Sequence, residues 1–241
     1  MKQAKIILIR HGQSLYNLQN RFTGWTDVGL SEAGIAEAKA VGQLLKEHEI
    51  YPDICFTSWL KRAIHTAQLA LQELEWEHID VRRSYKLNER HYGAWQGRDK
   101  DEVKAQVGEQ KFLEVRRGYD VAPPPLNREG ERSLFEDAKY RALPPHEVPL
   151  SESLKETKER VVPYFETVIR GELQKRKTVL VSAHGNSLRA LVMYLEKMHK
   201  EEVVELEIPT GEAIVYTFDA ELQVCDKVRL YPDHKEQSSM R

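Results

Sequence analysis

The sequence predicts an α/β fold: three layers, with a mostly parallel central sheet flanked by helices. Two runs, KIILI at 5–9 and TVLVS at 178–182, have unbroken aliphatic cores, IILI and VLV. Alternating one-sided strands do not, so these read as strands covered on both faces. Amphipathic helical patterns separate the strand candidates, as crossover connections between parallel strands require. The chain has 241 residues, 41% hydrophobic and 31% charged, which is enough to bury a substantial core and is neither a disordered nor a membrane composition. We expect a single domain over 1–241, with an insertion at about 90–150 and a mobile polar tail from about 231.

After the first strand comes a polar segment, 10–30. Ser31 is placed to N-cap a helix with Glu32 in its first turn, and Ile35, Ala38, Val41 and Leu45 recur at helical spacing up to the break at Tyr51-Pro52-Asp53. ICFTS, 54–58, is the next strand, followed by a helix from about Leu60 to Glu73. Leu87-Asn88-Glu89 closes a further extended stretch, and 96–120 reads as helical and highly charged. The segment 121–150 reads as irregular, since it carries six of the ten prolines. Such excursions serve as lids or binding loops, or as passive surface. SLKE, 153–156, forms a capping box for a helix to about Leu173 with Val161, Phe165, Val168 and Ile169 on one face. TVLVS then leads into AHGN and a helix, SLRALVMYL, and the strands AIVYTF (213–218) and LQVCDKVRL (222–230) complete the sheet.

Net charge is −2, so no general affinity for nucleic acid or membrane is expected, and any anion site must be a local basic cluster. The N-terminal apolar run is too short for a signal peptide and no stretch reaches spanning length. Cys55 and Cys225 lie in apolar stretches without a CxxC pair, which fits buried free thiols in a reducing cytoplasm and argues against a zinc site.

Two strands end alike, LIRHG at 8–12 and VSAHGN at 181–186. Ligands of open α/β sheets bind beyond the carboxyl ends of strands. If these strands are neighbours, His11 and His184 share a pocket; one alone would be better read as a histidine bonded in its own loop, but two at equivalent strand ends, each followed by glycine, point to a site. Arg10 precedes His11, Arg62 falls early in the helix after the second strand, and Arg116-Arg117 stand before the proline-rich segment. Guanidiniums beside histidines, without a carboxylate cluster, point to a phosphate-like dianion. A GxxxxGK[ST] loop and an Asp-rich magnesium set are both missing.

RHG followed by QSLYNLQNRFTGWTDVGLSEAG, then TSWLKRAIHT, LNERHYGAWQGRDK, VRRGYDVAPPPL, PLSESLKET, AHGNSLRALV and IPTG, resembles the cofactor-dependent (2,3-bisphosphoglycerate-dependent) phosphoglycerate mutases of the histidine phosphatase superfamily, in order over roughly 5–230. RHG alone marks the superfamily; FTGW, LNERHYG and VRR…PPP mark the mutases.

The resemblance implies a phosphoglycerate mutase-like fold and interconversion of 3-phosphoglycerate and 2-phosphoglycerate. The enzyme would be primed by 2,3-bisphosphoglycerate and use no metal. It implies His11 as the phosphoryl-carrying nucleophile, Arg10, Arg62 and His184 around the transferring group, and Glu89 as general acid/base. Ser14, Asn17, Thr23, Gly24, Arg90, His91, Tyr92, Lys100, Arg116, Arg117, Gly185 and Asn186 match substrate-binding positions. A cytoplasmic homo-oligomer, dimer or tetramer, and a tail that acts as a lid follow from the same likeness. His48, His65, His78, His146, His199 and His234 match no such position.

The sequence departs from the family pattern at Gln13, where glutamate is usual, and at Gly29, where an acidic residue is usual. Gly12 is read as leaving room for phosphate beside the backbone. Two alternatives share the motifs: a bisphosphoglycerate mutase, disfavoured by Ser14 and Thr23-Gly24, and a histidine phosphatase, disfavoured by the long stretch from LNERHYG to VRR. A non-catalytic phosphate binder would have lost His11 or Glu89.

Overall fold

The computed structural model describes residues 2–232. One six-stranded sheet has the order β3-β2-β4-β1-β5-β6, formed by β1 (Ala4–Arg10), β2 (Ile54–Thr57), β3 (Asp80–Arg83), β4 (Thr178–Ala183), β5 (Ala213–Phe218) and β6 (Val224–Leu230). β1, β4, β2 and β3 pair in parallel, whereas β5 and β6 are antiparallel additions. The helices are α1 (Leu15–Leu18), α2 (Glu32–Glu47), α3 (Lys61–Glu73), α4 (Lys100–Val107), α5 (Glu109–Arg117), α6 (Arg128–Glu136), α7 (Leu154–Tyr164), α8 (Arg170–Gln174) and α9 (Gly185–Leu195).

The aliphatic run of β1 is explained by what covers it. Successive side chains of a strand point to opposite faces. Ile6 and Leu8 pack with residues of α7, α8 and α9 in one core, and Ile7 and Ile9 pack with α2 and α3 in the other. All four are at most 1% exposed. β4 follows the same rule, with Val179 and Val181 in the first core and Leu180 in the second. Its neighbour relation to β1 is direct: Arg10 is in register with Ala183, and the His11 N–H donates to Ala183 O at 2.9 Å. His11 and His184 are thereby the first residues beyond two adjacent strand ends.

The predicted caps form. Ser31 Oγ accepts from Gly34 N–H, and Ser153 and Glu156 form the reciprocal capping box of α7. The helical run after Ser153 passes through a π-helical segment, Phe165–Ile169, just beyond Pro163, which cannot donate to the ladder.

Several elements differ from the sequence reading. The segment 96–120 is two helices, because Gly108 sits at φ 84° between α4 and α5. The 121–150 stretch is not irregular throughout: Asn127 caps α6 through Gly130 N–H. That helix buries no residue fully, and its only apolar residues, Leu134 and Phe135, are adjacent, so the apolar recurrence at i, i+3 and i+4 that reveals a helix is missing. The extended stretch before Glu89 ends at Arg83, and Tyr85–Leu87 is a 3₁₀ turn. Ile35 is exposed on α2, and Cys225 is exposed on edge strand β6. Cys55 is buried and both thiols are free. Gly12 has a task other than accommodating a ligand: a Cβ there would lie 2.1 Å from Gly34 O, so the glycine permits α2 to close on the strand end. The tail predicted to act as a lid, with His234, falls outside the described residues beyond position 232.

Candidate active site

A cavity of about 240 Å³ opens at the carboxyl ends of β1 and β4. Its cationic lining is Arg10, Arg21, Arg62, Lys100, Arg116, Arg117 and Arg189; its carboxylates are Glu89 and Glu207. Seven positive side chains against two negative ones give a strong local field in a chain whose net charge is near zero.

His11 sits on the cavity floor, 3% exposed. Its Nδ1 lies 2.7 Å from Gly12 O; a carbonyl only accepts, so the ring proton is on Nδ1. Nε2 then carries the lone pair, and it accepts from Arg62 Nε at 3.3 Å. Burial holds the His11 pKa well below the usual imidazole range, and Arg62 and Arg10 lower it further. The ring is therefore neutral, with its free nitrogen facing a guanidinium. The His184 ring lies 4.9 Å from that of His11, centroid to centroid, and bonds through Nε2 to Ser58 Oγ at 2.8 Å. Burial, then Arg62 and His11, keep it neutral as well.

Arg62 is fully buried from the first turn of α3, and burial lowers its pKa to about 10. It donates to Gly24 O at 2.7 Å and to Thr26 O at 3.0 Å, so the FTGW loop and the guanidinium fix each other. Arg10 is tethered to Ile208 O at 2.9 Å. Three buried polar atoms of this site have no partner among the described residues: Arg10 Nε, Arg189 Nε and His184 Nδ1. Buried donors are rarely left unpaired unless a ligand or water completes them.

Glu89 is 8% exposed. Its Oε1 accepts from Asn186 N–H at 3.0 Å and Arg90 N–H at 2.8 Å. The first of these places the carboxylate at the N-terminus of α9, leaving Oε2 toward the cavity side of Gly185. Tyr92 OH accepts from Arg90 Nη2 at 2.9 Å and Asn186 Nδ2 at 3.3 Å, which frees its own proton for a ligand.

Of the residues singled out by sequence, His11, Arg10, Arg62, Glu89, Asn17, Thr23, Gly24, Tyr92, Lys100, Arg116, Arg117, Gly185 and Asn186 line this one cavity. His184 is packed on His11. Three lie behind the wall. Ser14 is buried as the N-cap of α1, bonded to Asn17. Arg90, fully buried, donates to Val115 O and Arg116 O and stacks on Tyr92, so it ties the end of α5 to the site. His91 is fully buried against Trp25, and burial and then Arg160 lower its pKa to about 3. Arg90 and His91 thus face away from any ligand in the cavity, whereas the sequence grouped them with the substrate contacts.

Sequence reasoning missed Arg21, Phe22, Arg189 and the segment 206–209. Arg189 had a signal: three residues after Asn186, it lies on the same helical face, and it donates to Asn186 Oδ1 at 3.0 Å. Gln13 stands outside the cavity lining and accepts from Ser31 Oγ at 2.8 Å.

His11, Glu89 and His184 also bring ligand atoms within 4.8 Å of one another, a spacing three metal ligands can have. The Arg62 guanidinium in the same space favours an anion over a cation.

Comparison with known proteins agrees with this geometry. The model of the histidine phosphatase superfamily (branch 1) matches residues 6–144 and 128–230. A 2,3-bisphosphoglycerate-dependent phosphoglycerate mutase of Cutibacterium acnes is 49% identical over 230 residues, covering 95% of this chain and 92% of the relative. Among solved structures, a mycobacterial glucosyl-3-phosphoglycerate phosphatase in complex with VO3 is 24% identical, with TM-score 0.69 over 88% of this chain and 92% of its own. The alpha-ribazole phosphatase of Shigella flexneri is 20% identical, with TM-score 0.63 over 95% and 94%. At those identities the two structures share the fold alone.

Proposed function

This chain belongs to the histidine phosphatase superfamily and, within it, to the 2,3-bisphosphoglycerate-dependent phosphoglycerate mutases, and from that premise we propose that it interconverts 3-phosphoglycerate and 2-phosphoglycerate through a phosphohistidine at His11. The observation that carries the reading is a buried neutral imidazole inside a cavity with more fixed positive charge than one phosphate requires. Arg10 and Arg62 suffice for one phosphoryl dianion. Lys100, Arg116 and Arg117, brought in by the 90–150 insertion, fit a second anionic group, as a phosphoglycerate carries.

His11 Nε2 attacks phosphorus, so that an N–P bond forms as the P–O bond to the glycerate oxygen breaks. Because Nε2 is unprotonated, no base is needed to activate it. Arg62 Nε, now bonded to Nε2, passes to a phosphoryl oxygen as that nitrogen is consumed. With Arg10 and His184 Nδ1 it stabilises charge on the equatorial oxygens. Glu89 delivers a proton to the departing oxygen and, in the return half-reaction, accepts one from the attacking hydroxyl. Bound 2,3-bisphosphoglycerate supplies the phosphoryl group that primes His11. The partnerless Arg10 Nε and His184 Nδ1 and the surplus of cations fit its two phosphates.

The reading includes no metal, a phosphoglycerate substrate, a cytoplasmic location and a dimer or tetramer; among the described residues no helix is long and apolar enough to cross a membrane. The test is 3-phosphoglycerate turnover with and without 2,3-bisphosphoglycerate, in EDTA and in vanadate, beside sedimentation. Primer dependence, EDTA resistance and vanadate inhibition are expected. A His11→Ala protein with normal turnover would sink the mechanism.

A further inference from the structure

Glu89 is carried on a segment without regular structure, between the 3₁₀ turns Tyr85–Leu87 and Gly93–Trp95. A proton-transferring carboxylate must nevertheless be held to a fraction of an ångström, since a misplacement of 1 Å costs on the order of 100-fold in rate. The side chains that hold it lie outside the cavity, at two positions with no assigned role, Glu152 and Arg160.

Arg160 projects from α7 and is 7% exposed. Its Nε and Nη2 donate to the two oxygens of Glu152 at 2.7 and 2.8 Å, a bidentate pair. Its Nη1 donates to the carbonyls of Tyr85, Lys86 and Asn88 at 3.2, 2.8 and 3.2 Å. Nη2 also reaches Asn88 O and Glu89 O, each at 3.2 Å. Trp25 lies beneath the guanidinium, 5.5 Å from it at the ring centroid, and its indole N–H donates to the same Glu89 O at 2.6 Å.

Glu152, 3% exposed, grips the other flank. Its Oε2 accepts from His91 N–H at 2.8 Å, and its own N–H donates to His91 O at 2.8 Å. The backbone is thus fixed on both sides of Glu89. With the backbone fixed, Glu89 Oε1 meets Asn186 N–H and Oε2 remains for the proton.

We propose that Arg160 and Glu152 are positioning residues that hold the Glu89 carboxylate for proton transfer; the inference rests on the reading of Glu89 as general acid/base. Buried ion pairs contribute little net stability compared with apolar packing of the same volume, so stability alone gives weak reason for this one. Gathering four carbonyls around one cation does need the planar fork of arginine, which lysine lacks.

The test uses leaving groups. Phosphoryl transfer from a phosphoglycerate to His11 expels an alkoxide, which needs a proton from Glu89. Transfer from p-nitrophenyl phosphate breaks the P–O bond to release nitrophenolate, an anion stable near neutral pH, so no proton is required. Arg160→Lys, Arg160→Met and Glu152→Gln are compared with the full wild-type chain. The readouts are steady-state 3-phosphoglycerate turnover with primer and the pre-steady-state burst of p-nitrophenol. The expected result is a fall in kcat for 3-phosphoglycerate of about 100-fold, with KM and the burst rate within about threefold. Arg160→Lys should be milder than Arg160→Met. Equal losses in both reactions, or no loss in either, would overturn the proposal. So would failure of all three variants to fold, which would make the pair structural. If Arg160→Met alone fails to fold, the other two carry the comparison. Wild-type turnover of 3-phosphoglycerate reports on the functional reading; the split between the two reactions in the variants reports on the clamp.

Discussion

Acid should unfold this protein through its histidines before its carboxylates titrate. His11, His91 and His184 are 3%, 0% and 0% exposed, and burial holds all three folded-state pKa values far below 6.5. In the unfolded chain each titrates near 6.5. As pH falls through that value, the unfolded state binds protons that the folded state refuses, so stability falls. Above pH 7 neither state is charged at these positions and the effect vanishes. Between pH 7 and pH 5 each histidine costs about 2 kcal/mol, and the three together about 6 kcal/mol. That is comparable to the whole stability of many domains, about 5–15 kcal/mol. Urea unfolding followed by tryptophan fluorescence at pH 7, 6 and 5 measures it. The expected limiting slope is about 4 kcal/mol per pH unit, three protons' worth. His91→Asn isolates one proton without touching the cavity. The asparagine carbonyl can accept from Gly93 N–H as His91 Nδ1 does at 3.0 Å, and the slope should drop by about one third. A loss below about 2 kcal/mol between pH 7 and 5, or an unchanged slope in His91→Asn, would refute the reasoning.

Three further outcomes follow from particular contacts. Arg62→Lys loses the fork that spans His11, Gly24 O and Thr26 O, so kcat for 3-phosphoglycerate should fall by about 100- to 1,000-fold in the primed coupled assay. Gly12→Ala would drive a Cβ to 2.1 Å from Gly34 O; neither backbone can yield cheaply, and urea unfolding should register a loss of about 3 kcal/mol. Gln13→Glu, which restores the residue usual in the family pattern, keeps the acceptor for Ser31 Oγ and lies outside the cavity lining. Stability should change by less than about 0.5 kcal/mol and KM by less than about twofold.

β1 and β4 are legible in the sequence because they are covered on both faces. Two-sided burial leaves an unbroken aliphatic run that no surface helix imitates, as at 6–9 and 179–181. The capped helices were legible for a related reason, since Ser31 and Ser153 satisfy donors that the helix itself leaves open. Where burial is partial, the signal is weaker. α6 buries no residue fully and gives no such signal; Ile35 shares the helical spacing of Val41 and Leu45, and Cys225 reads as a buried thiol, yet both are exposed.

Legibility in the site divided along a different line. Residues that meet a ligand carry chemistry, and their types announce it: His11 and His184 at strand ends, Arg62 in the first turn of a helix. Residues that place those groups act through backbone carbonyls, and a carbonyl has no letter in the sequence. Arg160 is one more charged position in a charged helix until its partners are seen to be Tyr85 O, Lys86 O, Asn88 O and Glu89 O. Arg90 and His91 fail in the opposite sense. Flanking Glu89 in LNERHYG, they read as ligand contacts, but a chain passing a cavity wall turns only some of its side chains inward. Glu89 and Tyr92 face the cavity, whereas Arg90 turns to α5 and His91 to Trp25. A motif therefore marks a segment as functional without dividing its residues into those that touch substrate and those that aim them.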